Sequence, residues 1–328
     1  MANYILTGAA GFIASRVADQ LLARGDTVIG LDNLNDAYDV RLKHWRLERL
    51  RGRDGFDFHQ LDIGDRPGLE GLFHDVTRRA KVDGVINLAA RAGVRQSVEN
   101  PWVYIETNTT GTLNLLELCV KHEIGKFMLA STSSLYGAEN PRPYREDADT
   151  NRPLSPYAAS KKAAEALCYT YHYLYQIDVS ICRYFTVYGP AGRPDMSLFR
   201  FVQWIREGRP VTVFGDGRQE RDFTYVDDVA RGTVAAMRPL GYEIMNLGSD
   251  QPVVLADAIA LVEQFTGREA AIVNQPRHPA DVLTTWADIS RSGRLLEWRP
   301  QTTFEQGVRN LVDWYEENRA WAREIRTE

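Results

Sequence analysis

Tyr4-Ile5-Leu6-Thr7 runs directly into Gly8-Ala9-Ala10-Gly11-Phe12-Ile13-Ala14. An apolar strand that turns through glycines into an apolar helix constrains this chain more than any other feature. Glycines at such a turn let backbone N–H groups approach a pyrophosphate, and the positive end of the helix dipole favours the bound anion. The spacing is GxxGxxG with Ala14 in the third place, where a methyl group still permits close packing. Taken alone, the motif reads equally as a tight turn. Asp32 gives it a partner: it closes the second apolar run, 21 residues after Gly11, at the end of Gly30-Leu31-Asp32. A carboxylate there accepts both hydroxyls of a ribose and repels a 2′-phosphate. With no basic residue immediately after Asp32, the residues point to NAD rather than NADP. Asp62-Ile63, after the third run, reads either as a closure over adenine or as a strand-end turn.

The next 170 residues repeat the alternation. Asn3–Thr7, Thr27–Leu31, Phe56–Leu61, Gly84–Leu88, Phe127–Ala130 and Val179–Arg183 read as strands, separated by amphipathic segments at Phe12–Ala23, Gly68–Arg79, Thr107–His122 and Ser155–Tyr175. This spacing predicts parallel βαβ units wound on both faces of one sheet, an α/β Rossmann-like fold. After Tyr188-Gly189-Pro190 the pattern loosens into Pro, Gly and Asp punctuation, as expected of loops and short elements that cover a site. Tyr225–Arg238 and Glu243–Leu247 read as a helix and strand that rejoin the first sheet, and helices follow at Leu255–Thr266 and Phe304–Trp321. Residues 1–183 with about 222–248 are therefore expected to form a dinucleotide-binding domain. About 184–221 with 249–328 would form a smaller, mixed α/β substrate domain.

Composition narrows the partners. The 328 residues carry a formal net charge of -5, so the chain lacks the positive field that draws nucleic acid or an anionic membrane surface. No apolar run approaches the ~18 residues of a membrane span, and no basic segment and apolar core open the chain. Cys119, Cys168 and Cys182 form an odd set without metal-ligand spacing, which fits a reduced cytoplasmic compartment and no metal.

Tyr157-Ala158-Ala159-Ser160-Lys161 places a phenol and an ammonium one helical turn apart on one face. With 15 Tyr and six Lys in the chain, about 0.3 such pairs arise by chance, so the pair gains weight only from its surroundings. Ser131-Thr132-Ser133-Ser134 ends the fifth predicted strand about 25 residues upstream, where side chains enter the crevice at the carboxyl ends of the strands. A tyrosine is a poor base at neutral pH unless an adjacent ammonium and a cationic ring stabilise its phenolate.

With these residues together, the chain resembles the extended short-chain dehydrogenase/reductases, the nucleotide-sugar epimerases and dehydratases. The resemblance runs from Thr7-Gly8-Ala9-Ala10-Gly11-Phe12-Ile13 through Arg221-Asp222-Phe223-Thr224-Tyr225-Val226-Asp227-Asp228 to Trp286-Ala287-Asp288. It implies that Thr132, Tyr157 and Lys161 are catalytic, and that Asn33, Asp62, Ile63, Ala89, Ala90, Asn108 and Tyr184 line NAD together with Gly8, Gly11, Phe12, Ile13 and Asp32. It further implies that Arg95 and Arg221 neutralise a UDP diphosphate, that Ser133 and Ser134 face the sugar, and that Val213 and Phe214 border the uracil beside Asp281. A hairpin turn at Phe214-Gly215-Asp216-Gly217 would look the same. Hexose epimerases often carry Arg three places before the Asp that corresponds to Asp281, where this chain has His278 beside Arg277. Dehydratases and glucuronate decarboxylases of this family carry Glu two places after the catalytic hydroxyl, and here that place is Ser134.

Arg183-Tyr184-Phe185-Thr186-Val187-Tyr188-Gly189-Pro190, with the following Gly192-Arg193-Pro194-Asp195-Met196, is similar to the segment in UDP-glucuronate 4-epimerases. Neutral-hexose 4-epimerases usually have Asn where Thr186 stands. The resemblance implies that Thr186 and Arg193 hold a carbon-6 carboxylate, and a guanidinium suits that task through two parallel hydrogen bonds. Locally, Arg193 reads equally as a brace for an irregular loop. Reversible, NAD-dependent 4-epimerisation of UDP-glucuronate and UDP-galacturonate is thus expected, with a UDP-glucose/galactose 4-epimerase as the nearest alternative. A decarboxylase and a non-catalytic NAD-binding regulator stand further off. The apolar faces of Trp102–His122 and Ser155–Tyr175 read either as burial against their own sheet or as the four-helix interface of a homodimer.

Overall fold

The computed structural model describes residues 1–276 and 282–327. Its strands are β1 (Asn3–Thr7), β2 (Thr27–Asp32), β3 (Phe56–Gln60), β4 (Gly84–Asn87), β5 (Lys126–Thr132), β6 (Asp178–Tyr184), β7 (Thr186–Tyr188), β8 (Val211–Phe214), β9 (Glu220–Tyr225), β10 (Tyr242–Leu247), β11 (Pro252–Val254) and β12 (Ile272–Gln275). Seven of them form one sheet in the order β10-β6-β5-β4-β1-β2-β3. Every pairing in it is parallel. Such a sheet is buried on both faces, which explains why β5 is buried at all seven positions. The expected Rossmann-like doubly wound architecture is the one observed.

The helices are α1 (Phe12–Ala23), α2 (Val40–Glu48), α3 (Arg66–Arg79), α4 (Val94–Glu99), α5 (Trp102–Tyr104), α6 (Gly111–Lys121), α7 (Pro156–Tyr175), α8 (Ser197–Arg206), α9 (Val226–Ala235), α10 (Leu255–Thr266), α11 (Ser290–Leu296) and α12 (Phe304–Ala322). On one face of the sheet, Leu69, Phe73, Leu116, Ala164 and Cys168 from α3, α6 and α7 close a core over Val85, Phe127 and Ile181. On the other face, Val17 and Leu21 of α1 and Val229 of α9 belong to a core that continues without a break into Phe199 and Val202 of α8 and Val308 and Leu311 of α12. The C-terminal elements are thus packed onto the first sheet through shared apolar surface, not strung beside it. A three-stranded sheet, β11-β9-β7, and a two-stranded one, β12-β8, complete the chain.

Local sequence explains most boundaries. Ser155 caps α7 by accepting from Ala158 N at 3.2 Å, and Pro156 opens the helix where a missing N–H costs nothing. Asp65 caps α3 in the same manner. Three elements depart from expectation. Ser197–Arg206 is a full helix where punctuation suggested loops, because Leu198, Phe199, Phe201, Val202 and Ile205 all find the core. Val40–Glu48 is a helix although its buried positions include Lys43 and Arg46 and no apolar stripe announces it. The expected single helix over Thr107–His122 begins instead as a π-helical turn, Ile105–Thr110, before α6. Among the described residues no helix is long and apolar enough to cross a membrane, and no cluster of three His, Cys, Asp or Glu side chains stands ready for a metal.

Candidate active site

The strand order reverses between β4 and β1, and ligands of open parallel sheets bind in the crevice beyond that point. Thr7 Oγ1 spans it, donating to Asn87 Oδ1 at 2.7 Å and accepting from Ala89 N at 3.0 Å. Here the glycine turn meets the end of β4 so closely that a Cβ on Gly8, at φ +71°, would stand 2.9 Å from Ala89 N. A Cβ on Gly11 would stand 2.7 Å from Gly8 O. Gly11 offers no side chain to cap α1, which leaves the first-turn N–H groups facing outward as anion donors. Asp32 sits 7% exposed at the end of β2, accepting from Ala10 N at 3.2 Å and Leu34 N at 2.8 Å. The cradle and its carboxylate fit a dinucleotide.

The surroundings of Asp32 include a cation that the local sequence does not show. No basic residue follows it directly, yet α2 brings Lys43 Nζ to 3.4 Å from Asp32 Oδ1 and 3.2 Å from Asn35 Oδ1. The helix that does this is one the sequence pattern did not announce.

A cavity of about 630 Å³ opens from the glycine turn along the carboxyl ends of β4, β5 and β6 to β7, β8 and α8. Its wall contains Gly8, Gly11, Phe12, Ile13, Ala90, Arg95, Thr132, Ser133, Ser134, Tyr157, Lys161, Tyr184, Thr186, Arg193, Phe214 and Arg221, brought together from eight segments of the chain. Asn33, Asp62 and Ile63 stand beyond the wall: Asn33 Nδ2 donates to Asp62 Oδ2 at 2.5 Å, and Asn114 Nδ2 holds Ile63 O at 2.9 Å. Asn108 lies in the π-turn, buried, donating to Arg91 O and Ser160 Oγ at 3.0 and 2.9 Å and accepting from Arg91 N. It braces the loop after β4 against α7. Val213 was expected at the cavity, but alternation along β8 turns its side chain into the core, and Thr212 and Phe214 face the opening instead. Asp281, Arg277 and His278 lie outside the described residues.

The reactive groups converge at the end of β5. Thr132 Oγ1 donates to Ser134 Oγ at 3.1 Å and accepts from Ser134 N at the same distance. Tyr157 rises beside it from the first turn of α7, its ring edge-on to Tyr104 at 6.1 Å. Burial pushes the Tyr157 phenol above its ordinary pKa, with the Thr132 side chain and the Arg193 guanidinium pulling the other way. The lowering expected at this phenol needs the ammonium and a cationic ring together; the chain's own groups alone leave it raised. Lys161 Nζ is committed to Ala130 O at 2.9 Å, and its own pKa is brought down to about 8 by burial, against the opposing charge of Glu165.

Behind Lys161 lies a charged stack that sequence reading missed. Glu165 accepts from Ser131 Oγ at 2.7 Å and from Arg183 Nε and Nη2 at 3.0 and 2.8 Å, and all three residues are buried. Its place four residues after Lys161 on α7 is the signal that was available. A second omission is Asp195, which holds Arg193 through both Nε and Nη2 at 3.1 and 2.6 Å, while Ala92 O accepts from Nη2 at 3.4 Å. Burial opposes the Arg193 charge, but this pairing outweighs it and raises the pKa. Arg193 thus braces its own loop, and its Nε–Nη2 edge is not open for the expected two-bond grip on a carboxylate; Nη1 makes no hydrogen bond among the described residues. Arg95 stacks on Phe214, 3.9 Å from its centroid, and Arg221 Nη1 donates to Glu220 O and Leu283 O.

The fold and this cleft define a nucleotide-dependent epimerase or dehydratase. The chain belongs to the NAD dependent epimerase/dehydratase family, whose model matches residues 4–248. It is 53% identical over 319 residues to a UDP-glucuronate 4-epimerase of Thermodesulfobacterium geofontis, covering 97% of each chain. In structure it is similar to the UDP-glucuronic acid 4-epimerase of Bacillus cereus solved with UDP-glucuronic acid and NAD, with a TM-score of 0.89, 36% identity and coverage of 96% of this chain and 99% of that one. The UDP-glucose 4-epimerase of Thermotoga maritima, solved with UDP-glucose, matches with a TM-score of 0.86 at 29% identity over 96% and 99% of the two chains.

Proposed function

We propose that this protein catalyses the reversible, NAD-dependent 4-epimerisation of UDP-glucuronate and UDP-galacturonate through a 4-keto sugar. The observation that carries the reading is the convergence of Thr132, Tyr157 and Lys161 with Thr186 and Arg193 on one cavity. An oxidation-reduction pair and a carboxylate receptor in one cleft suit a uronate and give a neutral hexose less to hold. Ser134, where a dehydratase would have Glu, puts a hydroxyl and not a carboxylate at the place from which that Glu would move a proton at carbon 5. The relative and the solved structure named above support the same substrate.

The residues divide the work. Gly8, Gly11 and the open first turn of α1, with Phe12 and Ile13, would hold the pyrophosphate of NAD, and Asp32 the hydroxyls of its adenosine ribose. Asn33, Asp62 and Ile63 would enclose the adenine end; Ala89, Ala90, Asn108 and Tyr184 would shape the far end. When bound, NAD supplies the hydride acceptor and donor at carbon 4 and a positive ring that favours the phenolate. Tyr157 takes the proton from the 4-hydroxyl and later returns it, with Thr132 completing the hydrogen-bond path and Lys161 orienting the site. Arg95 and Arg221 neutralise the diphosphate about which the sugar turns to present its other face. The 4-keto sugar is a β-keto acid, which loses carbon dioxide only when the breaking bond stands perpendicular to the carbonyl plane. Thr186 and Arg193, by fixing the carboxylate, deny it that alignment.

Residues 1–183 with about 222–248 form the dinucleotide-binding part in this reading, and the remaining segments the part that holds the nucleotide sugar. The protein works as a cytoplasmic homodimer, paired through the surface on which Trp102, Tyr173 and Leu174 stand 75%, 69% and 59% exposed. The test is to incubate the protein with UDP-glucuronate, without added NAD, and separate the nucleotide sugars by chromatography. UDP-galacturonate is expected from the wild type and none from Tyr157→Phe. Product from UDP-glucose but none from UDP-glucuronate, with or without NAD added, would overturn the assignment.

A further inference from the structure

Arg46 of α2 is 2% exposed, and each of its five N–H donors finds an oxygen. Nε and Nη2 donate to Ala191 O at 3.0 and 2.7 Å, and Nη2 also to Gly192 O at 3.2 Å. Nη1 donates to Ala10 O at 3.2 Å and to the Tyr38 hydroxyl at 2.7 Å. All of these acceptors are neutral, and no carboxylate among the described residues lies within ion-pair distance of Arg46. The rings of Phe12 and Tyr38 lie 5.7 and 5.5 Å from the guanidinium carbon. A buried charge without an anion is costly, so so complete a set of donors matched to fixed carbonyls is an unusual investment for a brace. A lysine, with three donors on a point charge, could not reproduce it.

These bonds join two loops that lie about 180 residues apart in the chain, Ala10 in one and Ala191 in the other. Ala10 belongs to the glycine turn, whereas Ala191 and Gly192 immediately precede Arg193. Ala191 has a φ of +53°, a conformation that residues with a side chain rarely adopt, and it persists where the surroundings over-determine it. Two donors on the Ala191 carbonyl hold the peptide plane that follows it toward Gly192.

We propose that Arg46 is a positioning residue for the reaction: by locking the Ala191-Gly192 turn to the glycine turn, it fixes where the Arg193 guanidinium stands in the cleft. The inference rests on the reading of Arg193 as the partner of the sugar carboxylate. The experiment measures binding of UDP-glucuronate, and of UDP, which lacks the sugar and its carboxylate, to the NAD-loaded protein by calorimetry. It compares the wild type, Arg46→Lys, Arg193→Ala and the double variant. Arg46→Lys is expected to weaken UDP-glucuronate about tenfold and UDP less than about twofold, and to have no further effect once Arg193 is alanine. Equal weakening of UDP, or an undiminished effect in the Arg193→Ala background, would overturn the proposal, because a merely structural role predicts both. Should Arg46→Lys not fold, Gly192→Ala carries the same comparison: its Cβ would stand 3.0 Å from Gly189 O, displacing the turn while leaving the Arg46 charge in place. A wild type that binds UDP but gains nothing from the glucuronate moiety would defeat the role of Arg193 itself, and this proposal with it, before any variant is compared.

Discussion

Replacing Lys161 with methionine should remove catalysis without weakening the fold. At pH 7 Lys161 carries its charge where burial has brought its pKa from 10.5 to about 8. At 1.36 kcal/mol per pH unit, the folded protein disfavours the ammonium over the neutral amine by about 3 kcal/mol. Methionine matches the aliphatic stem and carries no charge, but it leaves the Ala130 carbonyl without its donor, at a cost of about 1–3 kcal/mol. The balance is a variant about 0–2 kcal/mol more stable than the wild type at pH 7. The pH dependence is the sharper signature. Because the folded pKa lies below the unfolded one, the unfolded chain binds more protons between about pH 8 and 10.5. The wild type therefore gains stability as pH rises through that window, by about 2 kcal/mol at pH 9.5, while Lys161→Met has no such gain. Urea unfolding of both proteins, freed of nucleotide, at pH 7.5 and 9.5 gives the difference directly, and other titrating groups cancel in it. A constant difference across the two pH values, or a variant destabilised by more than about 2 kcal/mol at neutral pH, would refute the reasoning.

Glu165→Gln strands the buried Arg183 guanidinium without an anion and should cost about 3–5 kcal/mol in urea unfolding, of which Arg183→Met in the same chain recovers at least half; a loss below about 1 kcal/mol would show the stack to be inessential. Tyr173→Asp, on the exposed face of α7, should yield a monomer by sedimentation at micromolar concentration, where the wild type is expected to sediment as a dimer; identical sedimentation of the two would remove that face from the proposed interface.

What the sequence disclosed about the site was whatever depends on local geometry. The glycine turn was legible because a Cβ at Gly11 meets backbone three residues away and one at Gly8 meets the end of the neighbouring strand, so the residue type records the constraint. Tyr157 and Lys161 were legible because helical spacing alone puts them on one face. The Rossmann-like sheet followed from period and spacing, with most strand ends placed within a residue or two. Long-range pairing was not legible: Lys43 reaches Asp32, Arg46 reaches Ala191 and Arg183 reaches Glu165 only after the chain has folded, and no local pattern requires them. Val213 illustrates a subtler failure. Its residue type suits either face of a strand, and only the pairing of β8 with β12 in a separate two-stranded sheet decides which side meets the cavity. Asp195 lay within reach, since Arg193-Pro194-Asp195 spaces two opposite charges two residues apart around a rigid proline.

The pairing of Asp195 with Arg193 also bears on what the cleft ignores. A bare guanidinium in a sheltered pocket would attract any small organic acid abundant in a cell. Because Asp195 already occupies one edge of the Arg193 fork, the pair is neutral as a unit, and a stray carboxylate meets only the Nη1 side with another carboxylate close by. Such a ligand gains little on its own. A uronate tethered to a nucleotide diphosphate would arrive with its position already determined by the rest of the molecule, so that a single remaining donor would suffice for it. On the proposed reading, the internal carboxylate would act as a filter against simple acids, favouring a carboxylate delivered by a larger ligand.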